Sequence, residues 1–330
     1  MPIRNTLESV DGPTVSVIIP NWNGMEHIPT CLDSLRRQSF EDFEVIVADN
    51  GSTDGSLALL GQDYSEVQLL ALGENRGFSG ACNVGMRSSR GAYVVLLNND
   101  TEVDPGWLAE IVAAFERHPE AGMIASKMLL FDRRHILHTA GDFYRLNGLP
   151  GNRGVWQRDE GQYDEESLVF GACGGSAAYR RRMLEQVGML DEDFFFSLED
   201  VDLAWRAQLA GWRCVYVPQA IVYHKLSATG GGPTASFHDG RNTIYLLLKD
   251  YPSDLWRLHW RAILRAQLRI AREALAAWRG AAARARLRGQ LVGLILGPPR
   301  MLPKRRAVQR SRRVDRAYLE HVLTGIDERL

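Results

Sequence analysis

The sequence predicts an α/β fold: a Rossmann-like, mostly parallel sheet with helices on both faces, followed by a helical C-terminal extension. Three observations carry this. Short apolar, β-branched runs alternate with stretches of helical period through the first hundred residues, the pattern of parallel strands buried on both faces. Polar residues end those runs at Asn21, Asp49 and Asn98 to Asp100, and ligands gather at the carboxyl ends of strands in such sheets. From about Gly240 the periodicity is wholly helical. The expected division is residues 1–240 as the sheet domain and 241–330 as the extension.

Taken in order, Val15 to Ile19 is a strand stopped by Pro20, and Met25 to Gln38 has helical spacing. Phe43 to Ala48 and Val67 to Leu72 are strands, Gly77 to Ser89 is a helix, and Ala92 to Leu97 is the fourth strand. Asp54 reads as the N-cap of the helix that follows it, and Asp104-Pro105 as a helix start. Residues 132–167 are polar and weakly periodic, a hairpin or a long loop. Arg181 to Val187 and Glu199 to Leu209 are helices, and Arg213 to Val217 is a strand. Acidic residues open the second of these helices and suit its positive end; Asp202 fits that role. In the extension, Trp256, Trp260, Ile263, Leu264, Gln267 and Ile270 recur every three or four residues. Pro298-Pro299 and Pro303 are expected to break the run, with a last helix over Val308 to Leu323.

Composition narrows the function. Hydrophobic residues make up 45% and charged residues 24%, enough for a sizeable core. The formal net charge of -1 hides an asymmetry: residues 241–330 hold 20 Lys and Arg against 7 Asp and Glu, leaving an acidic body and a basic tail. Such a tail suits an anionic surface. The four cysteines are widely spaced, with no CxxC pair, which points to reduced thiols in a cytosolic protein. No apolar signal run opens the chain and no run of 18 apolar residues exists, so neither secretion nor a membrane span is expected.

The candidate chemistry lies at the strand ends and in three later segments. Asp49 can accept the N3–H of a pyrimidine base, or Asp-Asn-Gly is simply a turn. Asp100 can hold a hard divalent cation that bridges phosphates. Glu199-Asp200 follows Phe194-Phe195-Phe196, and apolar walls raise a carboxylate's pKa as a general base requires. His224 is open to a ligand role or a structural one. The glycine-rich stretch 227–233 reads as a lid or a linker, and Gly171 to Gly175 as a close backbone approach or a bulged strand. No GxxxxGK[ST] loop, GxSxG elbow or HExxH helix is present, which removes support for P-loop NTPases, α/β-hydrolases and zincins.

The stretches VSVIIPNWNG, FEVIVADNGSTDGS, ENRGFSGACNVGM, YVVLLNNDTEVDPGWL, FGACGGSAAYRR and LDEDFFFSLEDVDLAWRAQLAGWRCVYVPQAIVYHK, spanning Val15 to Gly232 in order, together resemble family 2 of the inverting glycosyltransferases, which have the GT-A fold. The resemblance is strongest to bacterial rhamnosyltransferase-like members that build cell-wall or surface polysaccharides. It implies a nucleotide-diphosphate sugar donor, dTDP- or UDP-linked, a divalent Mg²⁺ or Mn²⁺ ion, and a glycan or lipid-linked acceptor. By resemblance, Pro20 and Asn21 border the nucleotide, Asp49 binds the base, and Asn75, Gly77 and Asn83 line the nucleotide and diphosphate side. Asn98-Asn99-Asp100 matches the family's DxD element, with Asn98 where many members have Asp. Asp100 and His224 would hold the metal, and Asp200, with Glu199 beside it, would be the catalytic base.

The tail adds arginines interleaved with Trp256, Trp260, Leu264, Leu268 and Trp278. Such helices lie in the headgroup region of an anionic membrane, so the expected location is cytoplasmic, peripheral on the inner face of the plasma membrane. Packing on the sheet domain or on a second subunit, as in a homo-oligomer, is the other reading. No nucleic-acid fold accompanies the basic stretch. The competing functions are a nucleotidyltransferase, whose Gly-rich basic loop after the first strand is replaced here by Pro20 to Gly24, and a non-catalytic glycan-assembly scaffold of the same fold.

Overall fold

The computed structural model describes residues 12–225 and 232–323. The N-terminal part alternates β1 (Val15–Asn21), α1 (Ile28–Leu35), β2 (Phe43–Asp49), α2 (Ser56–Asp63), β3 (Gln68–Ala71), α3 (Gly77–Ser88) and β4 (Tyr93–Leu97). These strands lie in the order β3-β2-β1-β4, all parallel. β5 (Thr101–Val103), α4 (Trp107–Arg117) and β6 (Ala121–Leu130) follow. The polar stretch after them forms β7 (Leu137–Thr139) and the hairpin β8 (Asp142–Tyr144) and β9 (Pro150–Asn152). Then come β10 (Ser167–Val169), β11 (Ser176–Arg180), α5 (Arg181–Val187), a 3-10 turn at Glu192–Phe194, α6 (Glu199–Leu209) and β12 (Arg213–His224). β11 lies antiparallel between β4 and β6, and β12 pairs parallel with β6. Six strands therefore share one direction in a ten-stranded sheet.

Alternation sorts the strand residues to two faces. Val15, Val17, Ile19, Val95 and Leu97 pack with Trp107, Ile111 and Phe115 of α4 and with α1 on one side. Ile18, Val94 and Leu96 pack with Cys82 and Met86 of α3, Trp205 of α6 and Tyr245 further on. The two cores hold the strand ends rigid, so the polar residues beyond them are fixed at one edge.

Several local expectations are corrected. Residues 213–217 are only the start of β12: the strand continues to His224 through a register shift between Val217 and Ile221, around Pro218. Pairing with β5 sets His224 opposite Thr101. Asp54 is not the N-cap of α2. Gly55 takes that place, while Asp54 Oδ2 accepts from the Met25 amide at 2.8 Å and Oδ1 from the Ser56 amide at 3.0 Å. Likewise Gly106, not Asp104, precedes α4, and Asp104 bonds the Gly106 amide at 3.0 Å.

The extension comprises α7 (Gly232–Lys249), α8 (Ser253–Ala276), α9 (Ala281–Arg310) and α10 (Arg316–Val322). The prolines do not break it: Pro298, Pro299 and Pro303 all lie inside α9, and the last helix is only α10. An interior proline costs roughly 3 kcal/mol, so packing must hold α9. Its Gly289 approaches α7 so closely that a Cβ would sit 2.1 Å from the Phe237 carbonyl oxygen. Residue 240 falls within α7, whose Asn242 and Tyr245 join the sheet domain's own contacts. Among the described residues, no helix is long and apolar enough to cross a membrane. A cleft of about 830 Å³ between α7, α8 and α9 is lined by Trp256, Trp260, Leu264, Leu268, Leu291 and Leu294. All six are exposed, so this face is not covered by the described chain.

Candidate active site

At the ends of β1, β2 and β4 the polar residues form one hydrogen-bonded floor. Asn99 Nδ2 donates to Asn21 Oδ1 at 2.7 Å, and Asn21 Nδ2 donates to Asp49 Oδ2 at 2.9 Å. Asp49 Oδ1 accepts the Ser52 amide at 3.0 Å. Asn50 reaches across to the start of α3, donating to Asn75 Oδ1 and the Gly77 carbonyl at 3.0 and 3.1 Å. Pro20, Asn21, Asn75, Gly77, Asn98 and Asn99 all line a compartment of about 290 Å³ above this floor. Asp49 is fully buried beneath it. Asn83 is placed elsewhere: its amide donates to the Leu190 carbonyl and Glu192 Oε1, both at 2.9 Å, and accepts the Leu190 amide.

Asn98 is also on the wall of a larger cleft, of about 750 Å³. Phe78 and Phe196 are the other residues common to both compartments. Here the β5–β12 register brings His224 Nε2 to 3.0 Å from Asp100 Oδ1. On its other side His224 Nδ1 lies 3.1 Å from His138 Nδ1. Burial, and then the neighbouring His224, pull the His138 pKa down to about 3, so His138 is neutral at physiological pH. Cis ligands of an octahedral ion with bonds near 2.1 Å lie about 3 Å apart, which is the spacing of Asp100 and His224.

Asp200 stands in the first turn of α6, on the wall of the same cleft. Its Oδ2 accepts the Gly174 amide at 2.7 Å and its Oδ1 the Val201 amide at 2.8 Å. Burial raises its pKa against those backbone donors, which keeps a carboxylate basic while orienting it. The Gly171 to Gly175 stretch is thus the loop between β10 and β11 that supplies one of these donors. Glu199 is buried, and burial with the charge of Asp200 pushes its carboxyl well up; its Oε2 has no hydrogen-bond partner among the described residues.

The turn before α6 is strained. Phe195, Ser197 and Leu198 have φ of 62°, 67° and 67°, a region non-glycine residues seldom occupy. α7 holds it: Asn242 Nδ2 lies 3.0, 2.9 and 2.6 Å from the Phe194, Phe196 and Ser197 carbonyl oxygens, and Arg241 also donates to Phe194. Gly77 (φ +73°) admits the turn, because a Cβ there would lie 2.4 Å from the Phe195 carbonyl oxygen. Asp202, read as a first-turn acid, is fully buried and paired with Arg206 at 2.8 Å and with Lys249. The glycine-rich stretch falls mainly on residues 226–231, outside the described residues.

Sequence reasoning missed several residues of this site. Asp142, from the β8–β9 hairpin, lines the large cleft beside Cys173 and Asp200. Asn50, His138 and the α7 pair Arg241 and Asn242 were also unmarked. Asp142 stands in a weakly periodic stretch and Asn242 in a helical one, and neither carries a local motif.

A sheet whose strand ends converge on one divided cleft, with a carboxylate–histidine pair beside a buried acidic helix start, is the arrangement that the resemblance to GT-A enzymes implies. Residues 16–188 match the model described as glycosyl transferase family 2, and the chain belongs to that family. It is similar to the N-acetylglucosaminyl-diphospho-decaprenol L-rhamnosyltransferase of Mycobacterium tuberculosis, 31% identical over 278 residues that cover 77% of this chain and 90% of the relative. Among solved structures it resembles the mannosyltransferase PcManGT of Pyrobaculum calidifontis in complex with GDP-Man and Mn²⁺, at TM-score 0.54 and 18% identity over 91% of this chain and 86% of that one. S. aureus TarS 1–349 matches at TM-score 0.54 and 19% identity, over 90% of each chain. Family membership sets aside the nucleotidyltransferase reading.

Proposed function

We propose that the chain moves a sugar, with rhamnose from a dTDP donor as the first candidate, onto a hydroxyl of a lipid-linked or polysaccharide acceptor, inverting the anomeric centre. The observation that carries this is the divided cleft. One compartment has amide side chains and an aromatic wall suited to a nucleotide, the other holds Asp200, and they meet at Asn98. The rhamnosyltransferase named above supports the sugar and the acceptor class.

Pro20, Asn21, Asn75, Gly77 and Asn99 border the nucleotide. Asp49 acts through Asn21, or accepts from the base once Asn21 turns aside. Asn83 fixes the turn at Leu190 rather than touching the donor. Asp100 and His224 would hold a divalent ion, with Asn98 beside them at 3.4 Å from His224 Nε2. Bound there, it would supply positive charge against the departing nucleoside diphosphate. Asp200 takes the proton of the acceptor hydroxyl as its oxygen attacks the anomeric carbon. Wild-type protein should release nucleotide diphosphate from a cognate donor with Mn²⁺ or Mg²⁺ and acceptor, and not with EDTA. Asp200→Asn should lose at least about a thousandfold in turnover, a loss in the range of general-base removal, while donor binding by thermal shift persists. Wild-type turnover by that variant would refute the base assignment; donor binding without transfer by wild type would favour the scaffold reading.

The exposed apolar cleft on α7–α9, with arginines around it, supports a peripheral seat on the inner face of an anionic membrane, where a lipid-linked acceptor would be met. Co-sedimentation with liposomes containing anionic lipid tests this. A protein left in the supernatant at low salt and running as a dimer would instead assign the face to a second subunit.

A further inference from the structure

We propose that the apolar cleft between α8 and α9 is the binding groove for a single hydrocarbon chain, the one that carries the acceptor sugar on a diphosphate, and that Arg269 at its edge receives that diphosphate. This rests on the transfer reading above and adds to it the place and the chemistry of the acceptor's lipid.

The catalytic cleft and the apolar cleft adjoin. On each of three helices, one residue lines the first and the next residue lines the second: Thr243 and Ile244 on α7, Ile270 and Ala271 on α8, Arg286 and Leu287 on α9. A single layer of helix, about 10 Å across with its side chains, therefore separates them. Gln290 Nε2 donates to Gln267 Oε1 at 3.1 Å and ties α8 to α9 beside this boundary. The apolar cleft is concave. Ile244, Leu247 and Ile263 line it and are buried, whereas Trp260, Leu264 and Leu294 line it and are exposed. A helix that lies on a bilayer presents its apolar stripe outward. Here α8 and α9 both contribute apolar residues to one cleft, which is the form of a ligand site.

Charge names the occupant. Along α8 an arginine follows each apolar lining residue in turn: Trp256-Arg257, Trp260-Arg261, Leu264-Arg265 and Leu268-Arg269. These arginines are i, i+4 neighbours on one stripe, and all are exposed. Among the described residues only Arg269 has a carboxylate within reach, Glu273 at 3.9 Å. That pair is open to solvent on both sides and contributes little, so the guanidinium keeps its fork for an anion. Arg269 lines the catalytic cleft and Leu268 lines the groove, which sets a cation between the two. The surface thus runs from the cleft of Asp200, past an arginine, to an apolar groove. A lipid-linked acceptor runs in the same order: sugar, diphosphate, hydrocarbon.

Length agrees with a single chain. Trp256 and Ala271 both line the groove, and the stretch of α8 between them measures roughly 22 Å at about 1.5 Å per residue. A geranylgeranyl main chain of about 16 carbons spans roughly 19 Å, since each C–C bond of about 1.5 Å advances the chain about 1.25 Å. Each methylene fully removed from water multiplies affinity about fourfold. Affinity should therefore climb with chain length until the groove is filled.

Tryptophan fluorescence of the full chain is titrated with geranyl, farnesyl and geranylgeranyl diphosphates and with geranylgeraniol, each below its micelle concentration. Binding should saturate and be at least tenfold tighter for the geranylgeranyl than for the geranyl diphosphate. This series needs no variant. Leu264→Glu and Leu294→Glu, at exposed positions in the groove, should each weaken geranylgeranyl diphosphate at least tenfold. Leu258→Glu, exposed but outside the groove, should stay within twofold. Arg269→Ala should weaken the diphosphate at least fivefold and the alcohol less than twofold. In transfer, the acceptor KM should fall at least tenfold from a geranyl to a geranylgeranyl chain, and Leu264→Glu should abolish that advantage. No saturable binding, affinity indifferent to chain length, or equal losses from Leu264→Glu and Leu258→Glu would overturn the proposal. Binding seen only with liposomes present would overturn it by assigning the face to the bilayer, and a dimer that binds no prenyl diphosphate by assigning it to a second copy. Chain-length-dependent binding without sugar transfer would support the groove and count against the transfer reading. Transfer without any chain-length effect would do the reverse.

Discussion

Replacing Asn242 with leucine keeps a side chain of similar branched shape at a buried position on α7 and removes the donor that holds the turn before α6. The Phe196 and Ser197 carbonyls, at 2.9 and 2.6 Å, have no other hydrogen-bond donor among the described residues, whereas Phe194 keeps Arg241 at 2.6 Å. Each buried acceptor left unpaired costs about 1–3 kcal/mol, so roughly 4 kcal/mol falls on this turn. It has two ways to respond. If the turn stays, the whole cost appears as stability, a Tm drop of about 10 °C at the usual few degrees per kcal/mol for a domain of this size. If the turn relaxes, the left-handed residues Phe195, Ser197 and Leu198 release strain of about 1–3 kcal/mol each. The Tm drop then shrinks, but Asp200 leaves its place, and a displacement near 1 Å costs about a hundredfold in rate. We expect the second response, because the strain released is comparable with the bonds lost: a Tm drop of under about 6 °C and a kcat reduced about a hundredfold. Differential scanning fluorimetry and a coupled nucleotide-release assay measure both quantities on one preparation. A variant with kcat within twofold of wild type and Tm within about 2 °C would refute the idea that α7 positions the base.

Asp191 offers a pH prediction. Burial pushes its pKa up, but Lys249 at 2.7 Å and Lys304 at 2.5 Å outweigh it and bring the carboxyl from 3.8 to about 2. A depressed carboxylate stabilises the fold above its unfolded pKa and loses that contribution as pH falls through the folded one. About 2 kcal/mol should therefore disappear between pH 4 and 2. Asp191→Asn should be less stable than wild type at pH 7, and the gap in urea unfolding should close toward pH 2; a gap independent of pH would refute the pairing. Liposome binding through the tail should weaken as salt rises, since each Lys or Arg near an anionic surface contributes about 1 kcal/mol and is screened within a Debye length. Binding insensitive to 0.5 M NaCl would show that the apolar cleft alone carries it.

What could be read from the chain, and what could not, follows from the range of each signal. The ends of β1, β2 and β4 were legible because strand periodicity and the polar residue that stops it are adjacent in sequence; Asn21, Asp49 and Asn98 to Asp100 needed nothing more. α5 and α6 were legible for the same local reason, and both occupy the residues expected. His224 was named by family pattern, but its distance from Asp100 depends on the register that sets it opposite Thr101, and Pro218 made the strand look finished too early. The prolines of α9 were misread because their local cost was weighed without the glycine contact to α7 that offsets it. Asp142 and Asn242 mark the limit most clearly. One sits in a short hairpin off the main sheet and the other in mid-helix, and each gains its meaning only from a group more than forty residues away: Asp200 for the first, the Phe196 and Ser197 carbonyls for the second. A site assembled from both ends of a chain leaves its strand-end half in the sequence pattern. The half that holds the strained turn and faces the proposed base is written only in the packing.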